Sequence, residues 1–323
     1  MLRKIAVEEH FALPGSLGAA TRHASPYWAE LGGKLTDFDE RRLAAMDRAG
    51  IELAVLSLNA PGVQHLLRAE EAVDLARRAN DRLAEEIAKR PTRFAGLAAL
   101  PMQDSEAAAR ELDRCVRDLG LKGALVNGYT QAEGGALYYD LPQYLPFWAE
   151  VARLGVPFYL HPRDALPARD AAYEGHRWLI GSPWSFAEET ALHALRLMGS
   201  GLFDRHPSLQ IVLGHLGERI PYDLWRLDHR LAHIPGLPFK RTMTEYFRSN
   251  FHIATSGHFS TPSLMQAILT VGADRILFAV DYPFEQNEQA AAWFDHAGLS
   301  EPDRVNIGRR NAVALFKLDS LGA

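Results

Sequence analysis

Acidic residues and histidines stand at the ends of several short apolar runs in this sequence. Glu8 and His10 close the first run, and His161, His215 and Asp281 each close a later one. Imidazole nitrogens and carboxylate oxygens together suit Zn²⁺ or Mn²⁺, whereas Ca²⁺ prefers oxygen alone. A Glu-x-His pair is weak evidence by itself, so the interpretation depends on a fold that brings the five residues together.

The elements that must position these residues follow a repeating order. Short β-rich runs alternate with longer amphipathic runs along nearly the whole chain, which is typical of parallel strands joined by crossover helices. Eight such runs predict an α/β fold, a closed (β/α)8 TIM barrel. The predicted strands span 4–9, 51–58, 93–100, 121–127, 156–161, 209–215, 250–255 and 275–281.

Capping residues mark two of the crossover helices. Thr36 or Asp37 is predicted to begin a helix that stops at Gly50, and Asp104 to begin one that stops at Gly120. Two connections, 130–141 and 162–182, are long for a compact domain. Both follow strand ends, where barrel enzymes place active-site loops.

The barrel predicts where the candidate ligands meet. All strands of a parallel barrel have their carboxyl ends at one mouth, so residues far apart in sequence converge there. Because side chains alternate along a strand, Glu8 and His10 are expected to share a face with Ala6, while Ile5 and Val7 point to the other face. The sequence therefore predicts a metal site at the mouth.

Composition indicates a globular enzyme. The chain has 323 residues, 47% of them hydrophobic, which suits one barrel domain over 1–323. Lysines and arginines number 35 and aspartates and glutamates 40, and a formal charge of −5 gives no field that attracts nucleic acid or an anionic membrane. Neither partner is expected.

A cytoplasmic location is expected from the cysteine content and the first residues. Cys115 is the single cysteine, which excludes an intrachain disulfide and favours a reducing compartment. Glu8 and Glu9 come too early for the apolar region of a signal peptide, and no later apolar run has membrane-spanning length.

Five stretches together carry a family resemblance that covers nearly the entire chain. The sequence resembles the aromatic-acid decarboxylase branch of the amidohydrolase superfamily, and is most similar to the γ-resorcylate (2,6-dihydroxybenzoate) decarboxylases. The stretches are VEEHF at 7–11, GALVNG at 123–128, PFYLHPR at 157–163, GHLGE at 214–218 and DYPFE at 281–285.

The resemblance implies a carboxy-lyase that removes the carboxylate of an ortho-hydroxybenzoate reversibly and without oxidation, most simply 2,6-dihydroxybenzoate to resorcinol and CO2. It also implies one divalent metal ion, Zn²⁺ or Mn²⁺ rather than Mg²⁺, and a homotetramer or homodimer. The implied metal ligands are Glu8, His10, His161 and Asp281, and the implied catalytic or substrate-contacting residues are Asp281, as proton donor, His215, Glu218 and Arg226.

The spacing of these catalytic residues agrees with the implied roles. Glu218 is expected to open the helix after the strand that ends in His215, near enough to orient the imidazole and stabilise its cationic form. Arg226 lies two helical turns farther on and is expected on the same helix face. Dinuclear members of the superfamily need a bridging group at the end of strand four, but Lys122 begins that strand and Asn127 ends it.

The sequence leaves the substrate open. Arg22 and His23, in the loop after the first strand, and Phe284, three residues past Asp281, are the predicted pocket residues. The resemblance fits 2,3-dihydroxybenzoate or salicylate decarboxylases in places. A mononuclear amidohydrolase that cleaves a lactone or amide, with His215 handling the proton, is the alternative reaction, and a noncatalytic metal-binding barrel is the third hypothesis.

Overall fold

A computed structural model describes residues 2–15 and 26–318, and the side chains of 26–29 are not described. The predicted pocket residues Arg22 and His23 therefore lie outside the described residues. The strands are β1 (Lys4–Phe11), β2 (Ile51–Leu58), β3 (Phe94–Gly96), β4 (Ala124–Asn127), β5 (Thr130–Ala132), β6 (Gly135–Leu137), β7 (Phe158–His161), β8 (Ile211–Leu213), β9 (Phe251–Ala254) and β10 (Ile276–Leu277).

Helices connect these strands. The α-helical segments are α1 (Pro26–Leu35), α2 (Glu40–Ala49), α3 (Ala69–Lys89), α4 (Ser105–Arg117), α5 (Leu145–Leu154), α6 (Ser185–Gly199), α7 (Leu202–Arg205), α8 (His215–Glu218), α9 (Ile220–Leu231), α10 (Met243–Asn250), α11 (Thr261–Val271), α12 (Asn287–His296), α13 (Glu301–Val305) and α14 (Asn311–Phe316). Short 3₁₀ turns span Gly62–His65, Pro142–Tyr144, Pro167–Tyr173, Arg177–Leu179 and Ala273–Arg275, and a π turn spans Asn306–Arg310.

Eight of the strands form a parallel ring. One sheet has the order β1-β2-β3, and a second has the order β10-β9-β8-β7-β4. Single parallel bridges join the two sheets at both edges, Ala98 to Ala124 and Glu9 to Tyr282. The eight predicted strands are all present, most of them shorter than predicted, and the (β/α)8 barrel is confirmed.

Asp104 forms its predicted cap, but neither Thr36 nor Asp37 is the N-cap residue of α2, which is Asp39. Asp104 accepts hydrogen bonds from the backbone of Glu106 and Ala107 and begins α4. The carboxylate of Asp37 accepts from the backbone of Asp39 and Arg41, so the chain turns there before α2 begins at residue 40. These side chains satisfy amide groups that the first helical turn leaves without partners.

A bulge in β1 changes the expected alternation of its side chains. Ala6 pairs with Ala54, but Glu9 pairs with Leu56, so β1 has one residue more than β2 across this interval. The extra residue falls at Val7 or Glu8. β-bulges of this kind re-aim side chains and are frequent beside active sites.

The bulge corrects one expectation about β1. Ile5 and Val7 belong to the apolar cluster inside the barrel, and Ala6 belongs to the cluster between the strands and the helices. Glu8 and His10 also point inward, so they share the face of Ile5 and Val7 and not the face of Ala6. The prediction that the two ligands share one face is confirmed, but the face was wrong.

The barrel interior below the mouth is apolar. Its buried residues come from the inward positions of every barrel strand and from α14, and include Ile5, Val7, Leu53, Val55, Leu97, Leu125, Val212, Leu277 and Phe316. Burial of such side chains contributes about 1.5–3 kcal/mol each to folding. This apolar layer fills the barrel directly below the mouth.

The two long connections have structure of their own. The antiparallel strands β5 and β6 form a hairpin in the connection after β4, and two 3₁₀ turns lie in the connection after β7. The sequence did not predict either feature. Among residues 2–15 and 26–318, no helix is both long and apolar enough to cross a membrane.

Candidate active site

Four side chains meet at the mouth of the barrel. Glu8 and His10 come from β1, His161 ends β7, and Asp281 follows β10. One ligand atom from each of the four lies within 4.8 Å of the others. His10 Nε2 is 3.1 Å from Asp281 Oδ1, and His161 Nε2 is 3.4 Å from Glu8 Oε1. The convergence predicted from the strand ends is present.

The polar atoms that face one another in this group fit a divalent cation. Glu8 Oε1, His10 Nε2 and Asp281 Oδ1 are buried, and none has a hydrogen-bond partner among the described residues. Buried polar atoms without partners are rare and cost free energy. Two imidazoles and two carboxylates are a donor set for Zn²⁺ or Mn²⁺, so the residues fit one such ion.

Contacts to Nδ1 of His10 and His161 orient both rings so that Nε2 points toward the other ligand-group residues. The Ser57 hydroxyl lies 3.2 Å from His10 Nδ1, and the Pro162 carbonyl oxygen lies 2.9 Å from His161 Nδ1. Each ring therefore directs Nε2 inward. Partners of this kind fix the orientation and tautomer of metal-ligating histidines.

The protonation states also suit ligation. Burial would raise the pKa of Glu8 and of Asp281, but the neighbouring imidazoles outweigh it and lower both pKa values. Burial lowers the pKa of His10. Ionised carboxylates and a neutral imidazole are the forms that bind a cation.

His215 and Glu218 form an ion pair beside the four-residue group. His215 Nδ1 is 2.7 Å from Glu218 Oε1, while its Nε2 is 3.7 Å from Asp281 Oδ2. Burial alone would lower the pKa of His215, but the charge of Glu218 and the contact with Asp281 raise it well above its usual value. The pair can hold a proton 3.7 Å from Asp281 Oδ2.

A left-handed backbone turn places this pair, so the expectation that Glu218 opens the following helix is wrong. Helix α9 begins only at Ile220, and the short segment α8 contains non-helical residues. The φ angles are 50°, 55°, 85°, 52° and 69° for His215, Leu216, Gly217, Glu218 and Arg219. Such angles cost about 1–2 kcal/mol for each non-glycine residue and cluster at functional sites.

Arg226 is not brought to the ligand group. It lies on the exposed side of α9 and, with Glu218, lines a cleft of about 670 Å³ between α6 and α9. No hydrogen bond or ion pair joins Arg226 to Glu218 in the described part of the chain. Its predicted role in contacting substrate stays a prediction.

Phe284 does lie at the site. Its ring centroid is 5.9 Å from that of His10 in an edge-to-face arrangement, and the side chain is half-buried. The residue therefore stands beside the ligand group as its spacing from Asp281 indicated. Its contact with a substrate stays a prediction, as do the roles of Arg22 and His23.

Sequence reasoning missed three residues that touch the ligands. Ser57 contacts His10, and the hydroxyls of Tyr159 and Ser256 both donate to Glu8 Oε2. Alternation could have found Tyr159, because it lies two residues before His161 on the same strand face. The sequence carries no comparable signal for Ser57 or Ser256.

Comparison with known proteins agrees with this geometry. The family model described as Amidohydrolase matches residues 20–318. A curated γ-resorcylate decarboxylase of a Rhizobium species is 57% identical over 325 residues, which cover 99% of each chain. The alignments thus extend over nearly the whole barrel.

Two solved structures are equally similar. 2,6-Dihydroxybenzoate decarboxylase complexed with 2,6-dihydroxybenzoate has a TM-score of 0.95 and 56% identity, covering 98% of this chain and 100% of that one. Dihydroxybenzoic acid decarboxylase from a Polaromonas species, with bound manganese and the inhibitor 2-nitroresorcinol, has a TM-score of 0.96 and 55% identity, covering 99% and 98%. The chain belongs to the amidohydrolase family, in the branch that contains the γ-resorcylate decarboxylases.

Proposed function

We propose that this protein is a metal-dependent carboxy-lyase that converts 2,6-dihydroxybenzoate to resorcinol and CO2, reversibly and without oxidation. The observation that carries the proposal is the ligand group Glu8, His10, His161 and Asp281 with the His215–Glu218 pair directed at Asp281. Relatives more than half identical over the full length are named for this substrate.

One divalent ion, Mn²⁺ or Zn²⁺, is the proposed cofactor, and Mg²⁺ fits two imidazoles less well. The Polaromonas relative was solved with bound manganese, which favours Mn²⁺. When bound, the ion supplies positive charge that favours the ionised phenol and the carboxylate of the substrate. The proton transfers are carried out by side chains of this protein.

Asp281 is the proposed proton donor to the ring carbon that bears the carboxylate. Its Oδ1 faces His10, while Oδ2 faces His215 and is the atom available for a proton. Once the ring carbon holds this proton, the bond to the carboxylate breaks, its electrons restore the aromatic ring, and CO2 leaves. Protonated His215 supplies the proton that Asp281 Oδ2 passes to the ring, and Glu218 stabilises the imidazolium before that transfer. His215 then takes up a proton from solvent for the next turnover.

The pocket assignments are part of the proposal. Phe284 forms a wall beside His10, and Arg22 and His23 are also proposed to line the pocket. Arg226 is proposed to offer a positive charge to a substrate oxygen or to Glu218, and the cleft that it lines with Glu218 supports this role. An Arg226→Gln variant, which lacks the positive charge, with an unchanged KM and an unchanged kcat would exclude Arg226 from the site.

The test is a decarboxylation screen of metal-free protein reconstituted with Zn²⁺, Mn²⁺ or Mg²⁺. 2,6-Dihydroxybenzoate, 2,3-dihydroxybenzoate and salicylate are compared, and the expected result is CO2 release that is fastest with the first acid. Turnover of a lactone or amide with incorporation of water, and no CO2 release, would show a hydrolase instead.

Reversal tests the same chemistry from the product side. Resorcinol and concentrated ¹³C-bicarbonate are expected to give labelled acid with its carboxylate ortho to a hydroxyl, because an enzyme lowers both barriers together. Labelled 3,5-dihydroxybenzoate, whose carboxylate has no ortho hydroxyl, would contradict the proposed activation by the neighbouring phenolate.

We further propose one domain over 1–323, a cytoplasmic location and assembly as a homotetramer or homodimer. The bridge from β1 to the segment after β10 supports a single domain. Tyr222 and Trp225, which are 81% and 74% exposed on α9, support an interface on that helix. Light scattering of wild-type and Trp225→Glu protein tests the assembly, and the variant is expected to form smaller species.

A further inference from the structure

We propose that Tyr159 and Ser256 are positioning residues that restrict Glu8 to a single metal-ligating oxygen. The proposal rests on the metal site of the proposed function and assigns a role to two hydroxyls that the reaction itself does not use. Both residues are fully buried, and both lie outside the ligand group.

The two oxygens of the Glu8 carboxylate have opposite surroundings. Oε2 accepts hydrogen bonds from the Tyr159 hydroxyl and the Ser256 hydroxyl. Oε1 has no hydrogen-bond partner among the described residues and lies 3.4 Å from His161 Nε2. Two donors therefore occupy the lone pairs of one oxygen, and the other oxygen faces the ligand group.

The hydroxyl group of Ser256 both accepts and donates a hydrogen bond, and its proton points at Glu8. Its Oγ accepts a hydrogen bond from the His215 backbone amide at 3.2 Å, so the single hydroxyl proton is free to point at Glu8. Ser256 thus ties the carboxylate of Glu8 to the start of the left-handed turn that carries His215.

Gly214 leaves the space that this arrangement needs. A Cβ atom at that position would lie 2.6 Å from Glu8 Oε2 and 3.0 Å from Ser256 Oγ. A side chain there would push the carboxylate or the serine away. The missing side chain of Gly214 therefore lets the backbone pass close to Glu8 Oε2.

Removal of the two donors is expected to weaken metal binding without a matching loss of stability. A carboxylate free to rotate presents either oxygen or both, so the ligand group is less ordered before the ion binds. Loss of a hydrogen-bonding partner behind a metal ligand typically lowers affinity by about 10- to 100-fold.

The experiment compares Tyr159→Phe, Ser256→Ala and the double variant with two controls. Tyr144→Phe removes a buried hydroxyl that donates to the Met102 carbonyl, and Ser185→Ala removes a buried hydroxyl that accepts from the Gly181 amide. Mn²⁺ affinity is measured by chelator competition, ligand symmetry by Mn²⁺ electron paramagnetic resonance, and apoprotein stability by the thermal midpoint.

Each single variant is expected to raise the Kd for Mn²⁺ about tenfold, and the double variant more, with an altered resonance spectrum. The controls are expected to keep the wild-type Kd within about twofold. This should hold even where the thermal midpoint of their apoprotein falls as much as that of the Tyr159 and Ser256 variants. Wild-type Kd and spectrum in the double variant would overturn the proposal and leave both hydroxyls a packing role. Wild-type protein that binds Mn²⁺ no better than His161→Ala would instead overturn the metal site itself.

Discussion

The mouth of the barrel and the interior below it are formed by the same strands, but the mouth buries polar side chains and the interior buries apolar ones. The interior is filled by apolar side chains such as Val212 and Leu277, which lower the free energy of the fold by burial. The mouth buries Glu8 and His10, and the atoms of these two residues that lack hydrogen-bond partners raise the free energy unless a ligand meets them. The difference indicates that one layer supplies stability and the other contributes function.

This comparison predicts that substitutions in the two layers have separable effects. A change at the mouth should remove metal or turnover while the chain stays folded. A change in the interior should lower the free energy of unfolding while each folded molecule keeps its activity.

His161→Ala is expected to lose bound metal and nearly all activity and to remain folded, because it removes one of the four proposed ligands at the end of a strand. Metal content, turnover and circular dichroism check this. His252→Ala is the matched control, since His252 is a buried histidine on β9 that belongs to no ligand group among the described residues. Full activity of metal-depleted His161→Ala protein would refute the site.

Glu218→Gln is expected to keep the metal and reduce turnover by at least about tenfold, because the carboxylate stabilises the imidazolium of His215. Burial lowers the pKa of His215, and the charge of Glu218 is the largest contribution that raises it. Without that charge the protonated form is lost at lower pH, so the alkaline limb of the kcat profile should shift to lower pH. An unchanged profile and turnover would exclude Glu218 from proton handling.

Leu277→Ala is expected to lower the free energy of unfolding by about 2–5 kcal/mol, because Leu277 is fully buried inside the barrel. The Kd for Mn²⁺ and turnover per folded molecule should stay within about twofold of wild type. Denaturant titration and chelator competition measure the two effects. Leu269→Ala, at an 81% exposed position, serves as the control with little change in either. A large loss of metal affinity in Leu277→Ala would show that the layers are coupled.

Asp104→Ala is expected to lower the free energy of unfolding by about 0.5–2 kcal/mol and to leave metal binding unaffected. Asp104 caps α4 on the outside of the barrel and touches neither layer. Thermal unfolding in the presence and absence of Mn²⁺ checks this, and the metal-dependent gain in midpoint should equal that of wild type. A smaller gain would mean that the outer helices influence the mouth.

The two layers also differ in how well the sequence predicted them. His161 and Asp281 could be placed because each follows an apolar strand, and the closure of parallel strands brings their ends together. The bulge of β1 could not be predicted in the same way. It is defined by the register of β1 against β2, which the sequence of β1 alone does not give. Alternation along one strand therefore gave the wrong face for Glu8 and His10.

The turn at His215 and the contacts of Ser256 lay beyond sequence reasoning for the same reason. His215 and Glu218 both have positive φ, which is uncommon for residues other than glycine, so the sequence pattern gave no reason to expect it there. Ser256 follows β9, yet its partners are Glu8 on β1 and the backbone of His215. Such long-range pairs become visible only in three dimensions.

The left-handed turn has a consequence for laboratory evolution of a new substrate range. Four of its five residues carry side chains at positive φ, where β-branched residues are strongly disfavoured, so most random substitutions there would lower protein yield before activity could be screened. Libraries that hold 215–219 constant and diversify Phe284 and the β5–β6 hairpin would keep more variants folded. The adaptable part of this enzyme is then expected to be Phe284 and the hairpin, and not the turn that carries His215 and Glu218.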